Sequence, residues 1–106
     1  MPPKQDLTHR DIYALADDRG RVKIGSSNDV WKRKDNLQTG NADELRLVHA
    51  EKVERSIASK VERGARKILK DNGHSGVREW INDVPDDDAR DAIRTAHDNQ
   101  RGRNQK

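Results

Sequence analysis

Residues 11–16 read Asp-Ile-Tyr-Ala-Leu-Ala and residues 21–26 read Arg-Val-Lys-Ile-Gly-Ser. The parity of their apolar positions constrains this chain more than any other feature. Ile12, Ala14, Ala16, Val22 and Ile24 all fall on even numbers. Successive side chains of a strand point to opposite faces, so each run is a strand with one apolar side. Asp17-Asp18-Arg19-Gly20 between them reads as a turn in which Gly20 takes positive φ, which makes the pair a hairpin. An even-sum register, with Tyr13 or Leu15 opposite Lys23, sets even against even and buries that face. It places Tyr13 and Lys23 together on the opposite, more polar face, and this is the first functional hint in the chain.

The remaining elements follow from periodicity and caps. Ser27 or Asn28 is positioned to cap a helix starting near Asp29. Val30, Lys34 and Leu37 lie along one side of it, Arg33 sits on the edge of that stripe, and Thr39-Gly40-Asn41 ends it. Residues 44–51 read as a third strand, with Leu45, Leu47 and His49 alternating against Arg46 and Val48. A long helix spans roughly 53–71, with Ile57, Val61, Ala65 and Ile68 at helical spacing and Ala58 and Leu69 widening the stripe. Glu62 lies just past the margin of that stripe, with Arg55, Ser59 and Arg66 close by. Gly64 inside this helix points to close packing. Pro85 and three aspartates start a last helix that reaches about residue 98. The division expected is a flexible terminus at 1–9, a domain at 10–84, a helix at 85–98 and a disordered tail at 99–106. The fold class is α+β: a three-stranded antiparallel sheet flanked by helices, with a further C-terminal helix.

Composition narrows the functional classes. Only 30% of the 106 residues are hydrophobic and none is Phe, so the core is thin and single. The absence of cysteine removes disulfides, thiolate chemistry and Cys-type zinc sites. His9, His49, His74 and His97 show no metal-ligand spacing. No apolar run is long enough for a membrane, and no secretory signal is visible at the start, so a cytoplasmic protein is expected. Residues 1–70 carry 16 Lys and Arg against 11 Asp and Glu, whereas residues 71–106 carry 6 against 8. A basic body of this kind suits a polyanion. Trp31 and Trp80 read as core or core-edge residues, and Asp86-Asp87-Asp88 as a helix start.

The order hairpin, short helix, strand, long helix, short final motif resembles a GIY-YIG nuclease domain. It is most similar to the compact branch found in phage proteins of the T5 orf172 type and in related small domains. The matching pieces are Asp11-Ile12-Tyr13, Lys23-Ile24-Gly25-Ser26, Arg33, Glu62 and Glu79-Trp80-Ile81. The resemblance covers roughly residues 10–82. It implies metal-dependent hydrolysis of DNA, with RNA as a further possible substrate, by Tyr13, Lys23, Arg33 and Glu62. Glu62 would hold one Mg²⁺ or Mn²⁺. Lys32, Lys34, Arg55 and Arg66 are the candidate nucleic-acid contacts, and the chain would act as a monomer or a transient dimer on DNA. The pattern departs from the family in places. Asp11 replaces the first glycine, Lys23 replaces the second tyrosine, and Ala65-Arg66 stand where many relatives of this branch carry histidine.

The chemistry needs an activated water and neutralisation of the phosphate charge. Either Tyr13, with its phenolate favoured by a nearby cation, or Lys23 is a candidate base. Arg33 offers a planar fork to the phosphoryl oxygens. Apart from the resemblance, Tyr13 and Lys23 are ordinary strand residues, Arg33 a helix-surface arginine and Glu62 one of several helix-side glutamates. Two other readings therefore stand beside the nuclease. One is a non-catalytic nucleic-acid-binding module with the same fold. The other is a protein-interaction domain whose contact surface is the acidic C-terminal helix.

Overall fold

A computed structural model describes residues 8–77 and 79–104. Strand β1 (His9–Ala16) and strand β2 (Val22–Ser27) form the expected hairpin, followed by helix α1 (Val30–Thr39) and strand β3 (Arg46–Glu54). A single 3-10 turn (Arg55–Ile57) leads into helix α2 (Ala58–Asp71), strands β4 (Gly76–Val77) and β5 (Trp80–Ile81), and helix α3 (Asp86–Asn104). The strands make one five-stranded sheet in the order β3-β1-β2-β5-β4, with every described pairing antiparallel. The α+β class is as expected, but three strands become five. The two extra strands have two residues each, too few to show any alternation in sequence.

The hairpin register is even-sum: Leu15 faces Lys23 and Tyr13 faces Gly25. Ile12, Ala14, Ala16, Val22 and Ile24 all enter the main core, where they meet Val61, Ala65 and Leu69 of α2 and Ala89, Ile93 and Ala96 of α3. Each buried Val, Leu or Ile among them contributes roughly 1.5–3 kcal/mol. The opposite face differs from the sequence expectation. It is covered by α1: Tyr13 and Leu15 are buried with Val30, against Leu37 and Leu47. Alternation identifies a second face but does not say whether a helix will later cover it. Here the odd face is a small core and not a wet surface.

Strand β3 uses a bulge to serve both cores. Ala14 pairs with His49 while the next residue, Leu15, pairs with Leu47, so Val48 is an extra residue. The inserted residue reverses the parity of the strand at that point. Leu47 can thus face α1, while Val53 faces the main core. The strict alternation of Leu45, Leu47 and His49 expected from sequence breaks at this bulge. Two other expectations shift slightly. The cap of α1 is Asp29, whose side chain accepts from Lys32 N, while Ser27 Oγ binds the backbone of Asp29. Helix α2 proper starts at Ala58 after the 3-10 turn.

Helix α3 packs along α2 in the main core. Gly64 permits that approach, because a Cβ there would lie 3.3 Å from Ala96 Cβ. The first turn carries Asp86, Asp87 and Asp88, where the helix dipole favours anions. Arg46 also clasps Asp86 with both guanidinium nitrogens. The helix runs to Asn104, past the end expected near 98. Residues 99–104 are therefore helical instead of a disordered tail. Extending an existing helix costs little even without an apolar stripe. At the other end Thr8 O accepts from Arg55 N at 2.8 Å, so the chain is already tied down there. The rest of the expected flexible terminus (1–7) and the last two residues lie outside the described residues. No helix among the described residues is long and apolar enough to cross a membrane.

The turn between β1 and β2 is organised by a buried carboxylate. Asp17 accepts from the backbone N–H of Arg19 and Arg21, both at 2.9 Å, and from Arg21 Nε at 2.6 Å. Gly20 takes φ of +80°. Burial opposes the charge of Asp17, yet the hydrogen bonds from Arg21 and Arg19 outweigh it and hold the carboxyl below its usual value. A depressed folded-state pKa means stability that is present above the unfolded value and lost as pH falls through the folded one. Asp17→Ala is expected to cost about 2 kcal/mol by leaving two backbone donors unmatched. Urea melts at neutral pH check that cost. A second set between pH 5 and pH 3 should show a shallower loss of stability in the variant than in the wild type.

Candidate functional site

Strand β5 pairs with β2 only at Val22 and Lys23. Beyond that point the β2 edge is open to side chains from three directions. Lys23 is 4% exposed, with its stem enclosed and its ammonium donating to Glu79 Oε2. Glu79 immediately precedes β5. Its side chain is 65% exposed. From α2, Arg66 Nη2 donates to Ile24 O at 3.1 Å, the first carbonyl past the β5 pairing. The same nitrogen donates to Glu62 Oε1 at 2.9 Å. The Nε of Arg66 is buried and finds no partner within the described structure.

These groups form one electrostatic unit. The hydrogen bond and charge of Lys23 hold the Glu79 carboxyl below the ordinary glutamate value, and the charges of Arg66 and Arg33 add to the effect. Cations from β2, α1 and α2 thus bear on a single carboxylate. Of the four residues expected to work together, Lys23, Arg33 and Glu62 are drawn to this edge, the last through Arg66. Tyr13 is not linked to them by any hydrogen bond or ion pair among the described residues. It is 1% exposed and lies across β2 on Gly25, where a Cβ would come within 2.5 Å of Tyr13 Cζ.

Two basic grooves run away from this edge. The first, of about 380 Å³, is lined by Arg10, Ser27, Asn28, Asp29, Lys32, Arg33 and Asn36. Arg55 reaches the same place by donating to Asn28 Oδ1 at 2.9 Å. The second, of about 400 Å³, lies along α2 between Arg63, Arg66, Lys67, Lys70 and Asp71. Arg33 belongs to the first groove and Arg66 to the second, and both act on Glu79. Among the expected nucleic-acid contacts, Lys32 lines the first groove, Arg55 reaches it through Asn28, and Arg66 lines the second. Lys34 lines neither. It faces another hollow, with Trp31, Asp18 and Glu44. Trp31 is 63% exposed and is not the core or core-edge residue expected. The shallow apolar stripe of α1 turns Val30 inward and carries the adjacent position outward.

Sequence reasoning passed over Glu79 and Arg10. Glu79 was visible only as the first letter of Glu79-Trp80-Ile81, because a two-residue strand has no readable face. Arg10 lies in β1 (His9–Ala16), just before the strand read from sequence at 11–16. The structure also collects a histidine pair far from this edge. Glu51 accepts from or shares a proton with His97 Nδ1 at 2.5 Å and His49 Nε2 at 3.0 Å. Burial raises the Glu51 carboxyl, but the two histidines outweigh it and leave it lowered. No group of three or more His, Cys, Asp or Glu among the described residues could hold a metal ion.

The contact of Tyr13 with Gly25 carries a prediction. Gly25→Ala forces a methyl into the tyrosine ring, which is confined by Leu15 and Val30. The expected cost is about 1–3 kcal/mol, the usual range for overpacking. In a Tyr13→Leu background that cost should vanish, and denaturant melts of the four variants measure the coupling.

Residues 11–97 match the model of the T5orf172 domain, a span that runs from β1 into α3. No curated protein and no solved structure matches the chain. The matched span includes the hairpin apart from its first two residues, the open edge of β2 and most of α3, and on that ground the chain belongs to the T5orf172 domain family.

Proposed function

We propose that this protein is a metal-dependent endonuclease of the GIY-YIG type that hydrolyses phosphodiester bonds in DNA at the open edge of β2. The observation that carries the reading is that Lys23 is bonded to Glu79 and Arg66 to Glu62, with the charges of Arg66 and Arg33 acting on Glu79 from two basic grooves. A nucleic-acid strand lying in both grooves would bring one phosphate to these charges. Neutralising cations there stabilise the charge that builds on the phosphoryl oxygens. Arg33 would supply the planar fork. Lys23, donating from an enclosed stem, would supply a fixed positive charge. Tyr13, in its phenolate form, would take the proton of the attacking water and so return to the neutral phenol, with its oxygen guided along β2 by the absence of a side chain at Gly25.

The donor set allows a divalent metal of the Mg²⁺ or Mn²⁺ kind. Glu62 has Oε1 on Arg66 and leaves Oε2, and its side chain is partly exposed. A single carboxylate completed by water and phosphate oxygens is a common way to hold Mg²⁺. Bound there, the ion would polarise the phosphate and stabilise the leaving oxygen. The chain's own contribution is to hold the phosphate by three cations and to orient Glu62 through Arg66.

The burial of Tyr13 and the engagement of Glu62 by Arg66 favour a second reading, a nucleic-acid-binding module without catalysis. The acidic start of α3 is a weaker candidate contact surface. Asp86 is taken by Arg46, and Asp87 and Asp91 pair with Arg90.

Cleavage of supercoiled plasmid with Mg²⁺ or Mn²⁺ decides between them. Glu62→Ala is expected to lower cleavage at least ~100-fold while metal-free DNA affinity stays within about threefold. Equal cleavage by both proteins removes Glu62 from the metal role. DNA binding with no cleavage by the wild type selects the binding module. In either case Arg33→Ala should weaken binding and lower the slope of log affinity against log salt by about one.

A further inference from the structure

Glu79 is the anion that faces this group of cations. Its carboxylate is the acceptor for Lys23 and is acted on by Arg66 and Arg33 as well. Those cations come from the body of the domain. The Lys23 stem is enclosed between sheet neighbours, and Arg66 is held by Ile24 O and Glu62. Glu79, by contrast, stands just before the short strand β5 and is mostly exposed. The pairing of β4 with β5 is itself well defined. A Cβ at Gly76 would fall 2.9 Å from Ile81 Cα, Asn82 N donates to Ser75 O at 2.7 Å, and Arg21 stacks over Trp80 at 5.5 Å. The backbone therefore delivers the carboxylate to the cations, while most of its side chain stays open to solvent.

A carboxylate and a phosphodiester carry the same single negative charge, and both accept from Lys and Arg in similar geometry. Exchanging one for the other leaves the charge balance of the site unchanged, so the enclosed lysine is never left alone. We propose that Glu79 is a built-in stand-in for the phosphate: it fills the anion site when no substrate is present and yields to an incoming phosphoryl group. This rests on the nucleic-acid reading above for the identity of the natural ligand, while the exchange itself concerns any phosphate. The device sets a threshold, so that isolated phosphate binds poorly and a polyanion engaging both grooves displaces the glutamate.

The test uses the full chain without metal, with inorganic phosphate as the probe and amide shifts near Lys23, Arg33 and Arg66 as the readout. Glu79→Gln keeps size and hydrogen bonding and removes the charge, and Glu79→Ala is a second route to the same end. Asp98→Asn removes an exposed carboxylate of α3 that lines neither groove and controls for the general loss of negative charge. Both Glu79 variants are expected to bind phosphate at least ~5-fold tighter than wild type, with Asp98→Asn within about twofold of it. Unchanged or weaker phosphate binding in the Glu79 variants overturns the proposal, as does an equal gain in Asp98→Asn. Cleavage plays no part in this readout. A chain that never cuts DNA but gains phosphate affinity on Glu79→Gln keeps the stand-in and loses the nuclease. A chain that cuts DNA without that gain does the reverse.

Discussion

The pairing of β1 with β2, Leu15 opposite Lys23 and Tyr13 opposite Gly25, is the constraint on which the rest of the structure depends. A slip of one residue in this register would send Ile12, Ala14 and Ala16 to the α1 side and Tyr13 and Leu15 to the side of α2 and α3. Both cores would lose their shape at once. The register is secured at one end by the buried Asp17 carboxylate, which gathers the turn. In the strand it is secured by the fit of a tyrosine ring over a glycine. With so few large apolar residues in the chain, these local devices replace bulk as the source of a unique arrangement.

The open edge of β2 follows from the same hairpin. Because β5 pairs for only two residues, the strand beyond Lys23 has carbonyls to spare, and Arg66 takes one of them. An arginine drawn there by a backbone acceptor brings Glu62 with it. Arg33 comes from the helix that covers the other face. Charges from both faces of a sheet can meet only around an edge, and this short pairing supplies one. The result is a concentrated positive field whose local anion is Glu79, flanked by grooves whose cations outnumber their acids. Partly desolvated charges of this kind interact more strongly than the same charges in open water.

How much of this was legible before the fold varies with the kind of signal. The hairpin, its register and Gly20 in the turn were readable because strand parity and turn chemistry are local. The buried stripe of α2, and the closeness of α2 to another element at Gly64, were readable because helical spacing repeats over several turns. The bulge at Val48, the two-residue strands and the length of α3 were not, since none has a period. Glu79 was hidden for the same reason, although it stands at the centre of the charge cluster.

Sequence alone determined which residues share a face within each element, because that depends only on the repeat of strand and helix. It also determined that the chain is basic in its first two thirds, which sets the kind of partner it suits. Only the tertiary structure decided which faces are covered, turning the expected wet side of Tyr13 into a second core under α1. Only it decided which charges meet, because Lys23, Arg33, Arg66 and Glu79 come from four separate elements. Their approach is set by packing between those elements and leaves no trace in the spacing along the chain.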